Sequence, residues 1–216
     1  PSFVQPDNSS PKARGANGLL YALNSAAAQI QRSARSEADV FRAFYEQIVK
    51  IGLHGSITLL SEDGKSLHMR VVAVDQEELS RFGEIEVDDD LAEWFANAQS
   101  IRFSIPLQAS EYLFKILETG RSVFEPDNSR YLYEVIPERY RRYADRVVAR
   151  LGNCPLIISP LVISGEKRGL LTVNGPGLTL DDLPAVEAFA NHTAIALENA
   201  QLFAHMQSQV LERKLA

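Results

Sequence analysis

The sequence predicts an α+β domain in which helices pack against one antiparallel sheet. Two observations support this prediction. The β-rich runs occur in two pairs, each joined by a short polar turn, and helical patterns stand before, between and after these pairs. Along the chain the order is helix, helix, hairpin, mixed segment, hairpin, long helix. Because strands joined by a short turn pair in opposite directions, two hairpins favour an antiparallel sheet.

The composition argues against several classes of protein. The 216 residues carry a formal net charge of −6, which argues against a nucleic-acid partner. Cys154 is the only cysteine, so no disulfide can form within the chain, and a cytoplasmic location is expected. The apolar run 155–163 is far shorter than the ~20 residues that span a bilayer, so we expect no membrane contact by this segment. Since the chain starts with Pro1, we expect a piece of a longer protein.

The first part of the chain predicts a linker and two helices. Residues 1–16 are rich in Pro, Ser and Gly and show no periodicity, as in a linker or tail. Ser36, with Asp39 three residues later, marks the start of the second helix. The first helix has the apolar spacing of a coiled coil, at Leu20, Leu23, Ala27, Ile30 and Ala34.

Two hairpins follow, separated by an irregular region. The first hairpin joins runs 55–60 and 67–74 through the Asp63-Gly64 turn, and the second joins 156–164 and 168–174. Period-two alternation in the first hairpin predicts one core-facing side, at Leu67, Met69, Val71 and Ala73. In the irregular region the predicted elements are helix 88–98, strand 100–107, helix 110–120, strand 121–127 and helix 136–152.

The last helix, capped by Thr179 and Asp181, keeps apolar residues in several lines almost to its end. From Leu183 to Leu215 it would be roughly 50 Å long at ~1.5 Å per residue, longer than a small sheet. A helix that is apolar on two faces must bury both. The lines are Leu183, Ala190, Leu197, Ala204 and Leu211; Phe189, Ala196, Phe203 and Val210; and Ala188, Ile195, Leu202 and Met206.

These lines favour a homodimer in which the first and last helices pair across the interface. The alternative is a long closing helix with a frayed end. On the dimer interpretation, 207–216 is the start of a coiled-coil linker to an effector domain. The predicted dimer residues are Leu20, Leu23, Ala27, Ile30, Leu197, Ala204 and Leu211.

Residues 155–203 resemble the C-terminal half of a GAF domain, whose pattern is a strand, a Gly-containing turn, a second strand and a helix of the form "DDL…LEAFAxQxAIALENAxLF". The segment "ILETGRSVFEPD" (116–127) is similar to another motif of that family, and the resemblance extends over about 18–206. The matching residues are Gly165, Gly169, Leu170, Leu171, Asp182, Leu183, Ala190, Ala194, Ile195, Ala196, Leu197, Asn199 and Ala200.

The resemblance implies a GAF-like six-stranded antiparallel sheet, with the N- and C-terminal helices packed on one face, over 17–206. An irregular segment on the other face would enclose a small-molecule pocket. Such domains act as sensory or dimerisation modules upstream of effectors such as histidine kinases. We expect the aromatic residues of the irregular region to line this pocket; the alternative is that they only fill the core of that region. The predicted ligand-binding residues are Phe82, Trp94, Phe103, Tyr112, Phe124 and Tyr131.

No strong enzyme signature is present in the sequence. The acidic run 84–90 fits helix capping better than a metal site, and the Arg- and Tyr-rich run 130–150 fits a solvated helix face better than nucleic-acid binding. The resemblance therefore implies a sensor and dimerisation domain, of a sensor histidine kinase or similar protein, and the sequence adds no sign of catalysis of its own and no identifiable cofactor. The alternatives are a small redox or hydrolytic enzyme, tested by the reactivity of Cys154, and a dimerisation module without a ligand.

Overall fold

The computed structural model describes residues 16–75, 104–136 and 138–215, and its strands form one six-stranded sheet in the order β3-β2-β1-β6-β5-β4. Every pair of neighbours is antiparallel, which confirms the predicted fold class. The strands are β1 His54–Leu60, β2 Ser66–Ala73, β3 Ser104–Pro106, β4 Val123–Glu125, β5 Leu156–Ile163 and β6 Glu166–Asn174. The α-helices are α1 Ala16–Ser33, α2 Glu37–Lys50, α3 Glu111–Thr119, α4 Ser129–Val135, α5 Ala144–Leu151 and α6 Leu183–Leu215.

Helices α1, α2 and α6 form a layer on one face of the sheet, as predicted. Helix α2 begins at the expected cap, where the Ser36 hydroxyl accepts a hydrogen bond from the backbone N–H of Asp39 at 3.2 Å. The rings of Phe44 and Phe189 stack at the centre of this layer with their centroids 6.0 Å apart. Both side chains are fully buried, so the contact ties α2 to α6.

The coiled-coil spacing of α1 is satisfied within the protomer. Leu23, Ala27 and Ile30 are buried, and so is Leu197 of α6, all in the helix-side core. These four residues were predicted as dimer contacts, and the structure corrects this assignment, because α1 packs against α2 and α6 of its own chain and buries its apolar spacing there without a second chain. Leu20 remains 41 % exposed and Ala204 is also exposed, whereas the side chain of Leu211 lies outside the described part of the chain.

A bulge in β2 overturns the prediction that its alternating apolar residues share one face. Ile57 pairs with Val71, but the next residue, Thr58, pairs with Met69, so Arg70 has no opposite partner in β1. As a result Leu67 packs in the core of the second face, while Val71 packs under the helices. An extra residue in a strand changes the side to which the following side chains point.

The second face of the sheet is covered by α3 and α4. Helix α3 ends where predicted, with Gly120 in the left-handed conformation at φ 68°. Helix α4 was not predicted, and the expected helix 136–152 is divided into a 3₁₀ segment, Glu138–Tyr143, followed by α5. The buried residues of this second core are Leu67, Ile105, Leu107, Tyr112, Leu113, Ile116, Leu117, Tyr131, Val135, Leu156, Ile158 and Leu170.

We expect Phe44→Ala to lower the free energy of unfolding by about 3–5 kcal/mol, because it removes a ring from the closed helix-side core and leaves a cavity. The matched control is Phe41→Ala on the same helix, where the ring is only partly buried and the expected loss is about 1–2 kcal/mol. Urea unfolding measures the loss of free energy in both variants, provided that the m-value is unchanged. Equal losses in the two variants would contradict the packing described above.

Candidate functional site

A cluster of three hydroxyl groups lies at the centre of the second face. Ser56 of β1 is directly opposite Thr172 of β6, and their hydroxyl oxygens are 2.8 Å apart. The phenolic oxygen of Tyr131, from α4, lies 2.9 Å from the Ser56 hydroxyl. All three side chains are buried, and burial raises the pKa of the Tyr131 phenol. The cluster therefore gives a polar centre to an otherwise apolar layer.

A loop clamp before α4 places Tyr131 over the sheet. The Asp127 carboxylate accepts hydrogen bonds from the backbone N–H groups of Ser129, at 2.9 Å, and Asn153, at 3.0 Å, and from the Ser129 hydroxyl. These bonds, chiefly those from Ser129, lower the pKa of Asp127, because they favour its charged form. The side chain thus starts α4 and joins it to the loop before β5.

A second polar contact links α3, β4 and α4. The Tyr112 hydroxyl donates to Oε1 of Glu125 at 3.0 Å, and the Arg130 guanidinium lies 4.1 Å from the centroid of the Tyr112 ring. Burial, together with the neighbouring Glu125 carboxylate, raises the pKa of Tyr112 well above its ordinary range. The three residues hold the two covering helices to the edge strand.

Only part of the predicted ligand-binding set is brought together in the described residues. Tyr112 and Tyr131 both lie in the second core. Phe124 points to the opposite face and packs against the helix-side core, because side chains alternate along β4. Phe82, Trp94 and Phe103 lie outside the described residues, so their part in a pocket stays a prediction.

An open groove of about 650 Å³ lies on the helix side, between the start of α2, the tips of the two hairpins and α6. Glu37 connects its walls, since Oε1 accepts from Gln201 Nε2 at 2.8 Å and Oε2 accepts from Arg70 at 3.2 Å. Sequence analysis missed this contact, because the bulge that turns Arg70 toward α2 has no clear signature in the sequence. Polar lining residues of the groove include Glu37, Ser61, His68, Arg70, Arg168 and Gln201.

Helix α6 continues beyond the domain with an apolar strip on its solvent side. From Gln201 to Val210 every side chain is exposed. Ile195 is 46 % exposed, Leu202 is 55 % and Met206 is 56 %, in line with the third apolar line of the sequence. At ~3.6 residues per turn these positions lie opposite the buried side of the helix. We call this strip the outer stripe, and it consists of Ala188, Ile195, Asn199, Leu202, Phe203, Met206 and Val210.

The described residues show no arrangement typical of a catalytic or metal site. Among them, no group of three or more His, Cys, Asp or Glu side chains could hold a metal ion. Cys154 is partly buried. The acidic run 84–90 lies outside the described residues. Within the Arg- and Tyr-rich run, Arg141 pairs with Glu138 at 3.3 Å, and Arg142 lies 4.8 Å from the centroid of the Tyr143 ring.

In the described part of the chain, no helix has both the length and the apolar character that crossing a membrane requires.

Comparison with known proteins gives one family match and several structural neighbours. The family model described as GAF domain matches residues 34–198, which confirms the resemblance seen in the sequence. A methyl-accepting chemotaxis protein fragment, residues 122 to 287, is 19 % identical, with 84 % of this chain and 99 % of that chain covered and a TM-score of 0.54. The GAF domain of a phosphoenolpyruvate-protein phosphotransferase from Coxiella burnetii is 10 % identical, with coverage of 89 % and 99 % and a TM-score of 0.56.

A third neighbour is the phycocyanobilin-bound GAF domain of a cyanobacterial phytochrome, which is 14 % identical, with coverage of 88 % of this chain and 97 % of that chain and a TM-score of 0.50. Among curated proteins, no significant match was found.

We expect Tyr131→Phe to lower the free energy of unfolding at neutral pH by about 0.5–1.5 kcal/mol, because it removes the buried bond to Ser56 while Ser56 and Thr172 stay paired. The wild-type protein should also lose stability above pH about 10, where the unfolded tyrosine ionises and the folded one stays protonated. The variant should lose less over that range. Urea unfolding at a series of pH values measures both effects.

Tyr133→Phe is the matched control, since its hydroxyl contacts Asp145 at the surface and its loss should change the stability at neutral pH little. The bond to Asp145 also raises the pKa of Tyr133, but this group is exposed, so its part in the alkaline loss should be smaller than that of the buried Tyr131. If the alkaline loss of stability were the same in wild type and Tyr131→Phe, the buried hydroxyl cluster would not be its source.

Proposed function

Because the chain belongs to the GAF family, we propose that it is the signal-sensing and dimerisation module of a larger cytoplasmic signalling protein. In this proposal two copies associate along α6, a small molecule or partner is sensed at the second face of the sheet, and α6 carries the signal to an effector. The proposal assigns no catalysis to this segment. The observation that carries it is the outer stripe, which continues through 201–210, where every side chain is exposed.

The outer stripe supports a second copy of the chain as its partner. From Gln201 to Leu215 the helix extends for about 20 Å at ~1.5 Å per residue, and an exposed apolar strip of this kind is typical of an interaction site. A second α6 in parallel has the matching length and apolar pattern. The segment 201–215 has one acidic residue, Glu212, and two basic ones, Arg213 and Lys214, so two copies repel each other little despite the net charge of −6 on the chain.

The second face supports a sensing site. Tyr131, Ser56 and Thr172 place hydrogen-bonding groups within an apolar layer, which is the chemistry that a small-molecule site requires. The phytochrome neighbour is described as phycocyanobilin-bound, so a domain of this fold can bind a small molecule. We place the ligand of this chain against the second face of the sheet, beneath the covering helices α3 and α4.

The contact between Glu37, Arg70 and Gln201 gives a route from sheet to output helix. In strand β2, Leu67 packs in the second core, and the bulge residue Arg70 contacts Glu37 of α2. Glu37 holds Arg70 with one carboxylate oxygen and Gln201, where α6 leaves the domain, with the other. A ligand that favours one position of β2 would therefore also favour one position of α6.

We propose that 207–216 begins the linker to the effector, in the manner of a sensor histidine kinase.

We expect the double variant Leu202→Asp with Met206→Asp to be monomeric at tens of micromolar, whereas the wild-type chain is dimeric. Two carboxylates in each stripe would face each other in the dimer and would need to lose their hydration. Sedimentation velocity measures the change, and circular dichroism checks that the fold is kept. Ser208→Asp is the control for added charge, because it places one carboxylate, against two in the double variant, on the side of α6 away from the outer stripe. A monomeric wild-type chain would overturn the dimer proposal.

Native mass spectrometry of the protein purified from cells should show a reproducible added mass on the dimer, corresponding to a bound small molecule. Tyr131→Phe should lower the occupied fraction, because the hydroxyl belongs to the proposed site, and Tyr133→Phe should leave it unchanged. A bare dimer mass in repeated preparations would contradict the ligand and leave a dimerisation module.

A further inference from the structure

We infer that Asn199 sets the register and the two-stranded pairing of α6 in the dimer. This inference rests on the proposed dimer and goes further, since it assigns the specificity of the association to one side chain. Asn199 is exposed and lies one turn from both Ile195 and Leu202 on the outer stripe. Between Ile195 and Met206 the outer stripe has no other polar member.

The spacing places Asn199 at the interface of a parallel pair. The steps from Ile195 to Asn199, Leu202 and Met206 are four, three and four, the alternation that keeps one line of residues facing a partner helix. When two copies align in register, Asn199 meets Asn199, and apolar residues meet their own counterparts above and below. Each carboxamide has N–H donors and an oxygen acceptor, so the two side chains can bond to each other.

Apolar packing alone leaves the arrangement of the helices undetermined. Phe203 and Val210 widen the outer stripe beyond the narrow line of a two-stranded coiled coil, and a wide strip also suits larger bundles. The helix could also slip by seven residues and still match apolar residues, since Ile195 and Leu202 are seven apart. In the slipped pair Asn199 would face Met206, and its amide would be buried without an equal partner. The polar residue therefore opposes both alternatives.

The experiment compares Asn199→Leu with Ser208→Leu, which adds the same apolar side chain on the other side of α6. Sedimentation velocity of the 216-residue chain gives the number of copies in each species. Register is measured by oxidation in a Cys154→Ser background, using an equal mixture of chains with Leu202→Cys or Gln209→Cys. In-register dimers form 202–202 and 209–209 disulfides. A 202–209 disulfide is excluded in that register, because the two positions are about 10 Å apart along the helix and a disulfide needs Cα atoms closer than about 7 Å.

We expect the chain with Asn199 intact and its Ser208→Leu variant both to form dimers only, with 202–202 and 209–209 cross-links. Asn199→Leu should give species larger than the dimer and an increase of about tenfold or more in 202–209 cross-links, because the polar pair no longer penalises them. If Asn199→Leu behaves like Ser208→Leu, Asn199 is only a solvated side chain and this inference fails while the dimer stands. If the wild-type chain is a monomer, the dimer proposal itself fails.

Discussion

The fold depends on burying both faces of the central strands β1 and β6. Ile57 and Leu171 point to the helix-side core, while Leu60 and Leu170 pack in the second core, so neither face can be left to solvent. The sheet therefore needs two covers. The terminal helices and α2 supply one, and α3 and α4 supply the other. The two covers separate the proposed tasks of the domain, with association on one side and sensing on the other.

Helix α6 combines structural and functional roles through its different sides. Its inner side carries Phe189 and Leu197 into the helix-side core, and its solvent side carries the outer stripe. At Gln201 a hydrogen bond ties the exit of the helix to α2, through Glu37. The carboxylate of Glu37 and the guanidinium of Arg70 are partly exposed, so their ion pair stabilises the fold weakly. Under the proposed function, a weak contact at this point suits a position that shifts with the sensed state.

Sequence patterns predicted the fold class, both hairpins, the start of α2 at Ser36 and the end of α3 at Gly120, because each depends on local turn and cap chemistry. The sequence patterns gave wrong or missing predictions where tertiary packing determines which surface a residue faces. The apolar spacing of α1 has the same form whether the partner is another helix of the protomer or a second chain, so Leu23 and Ile30 were assigned to the wrong surface. The bulge at Arg70 and the seven-residue helix α4 leave little periodic signal. For α4, the Asp127 and Ser129 pair was the available clue.

The unbroken course of α6 from Leu183 to Leu215 has a consequence for any domain that follows. A rigid helix fixes the angle at which the next domain is presented, and each residue turns that angle by about 100°. Adding or removing seven residues after the domain changes the direction by only about 20°, whereas a change of two residues turns it to the opposite side. The length of the connecting helix is thus constrained by the rotation that it gives to the next domain, and not by the spacing between the domains. Related chains should therefore tolerate insertions or deletions of whole heptads there.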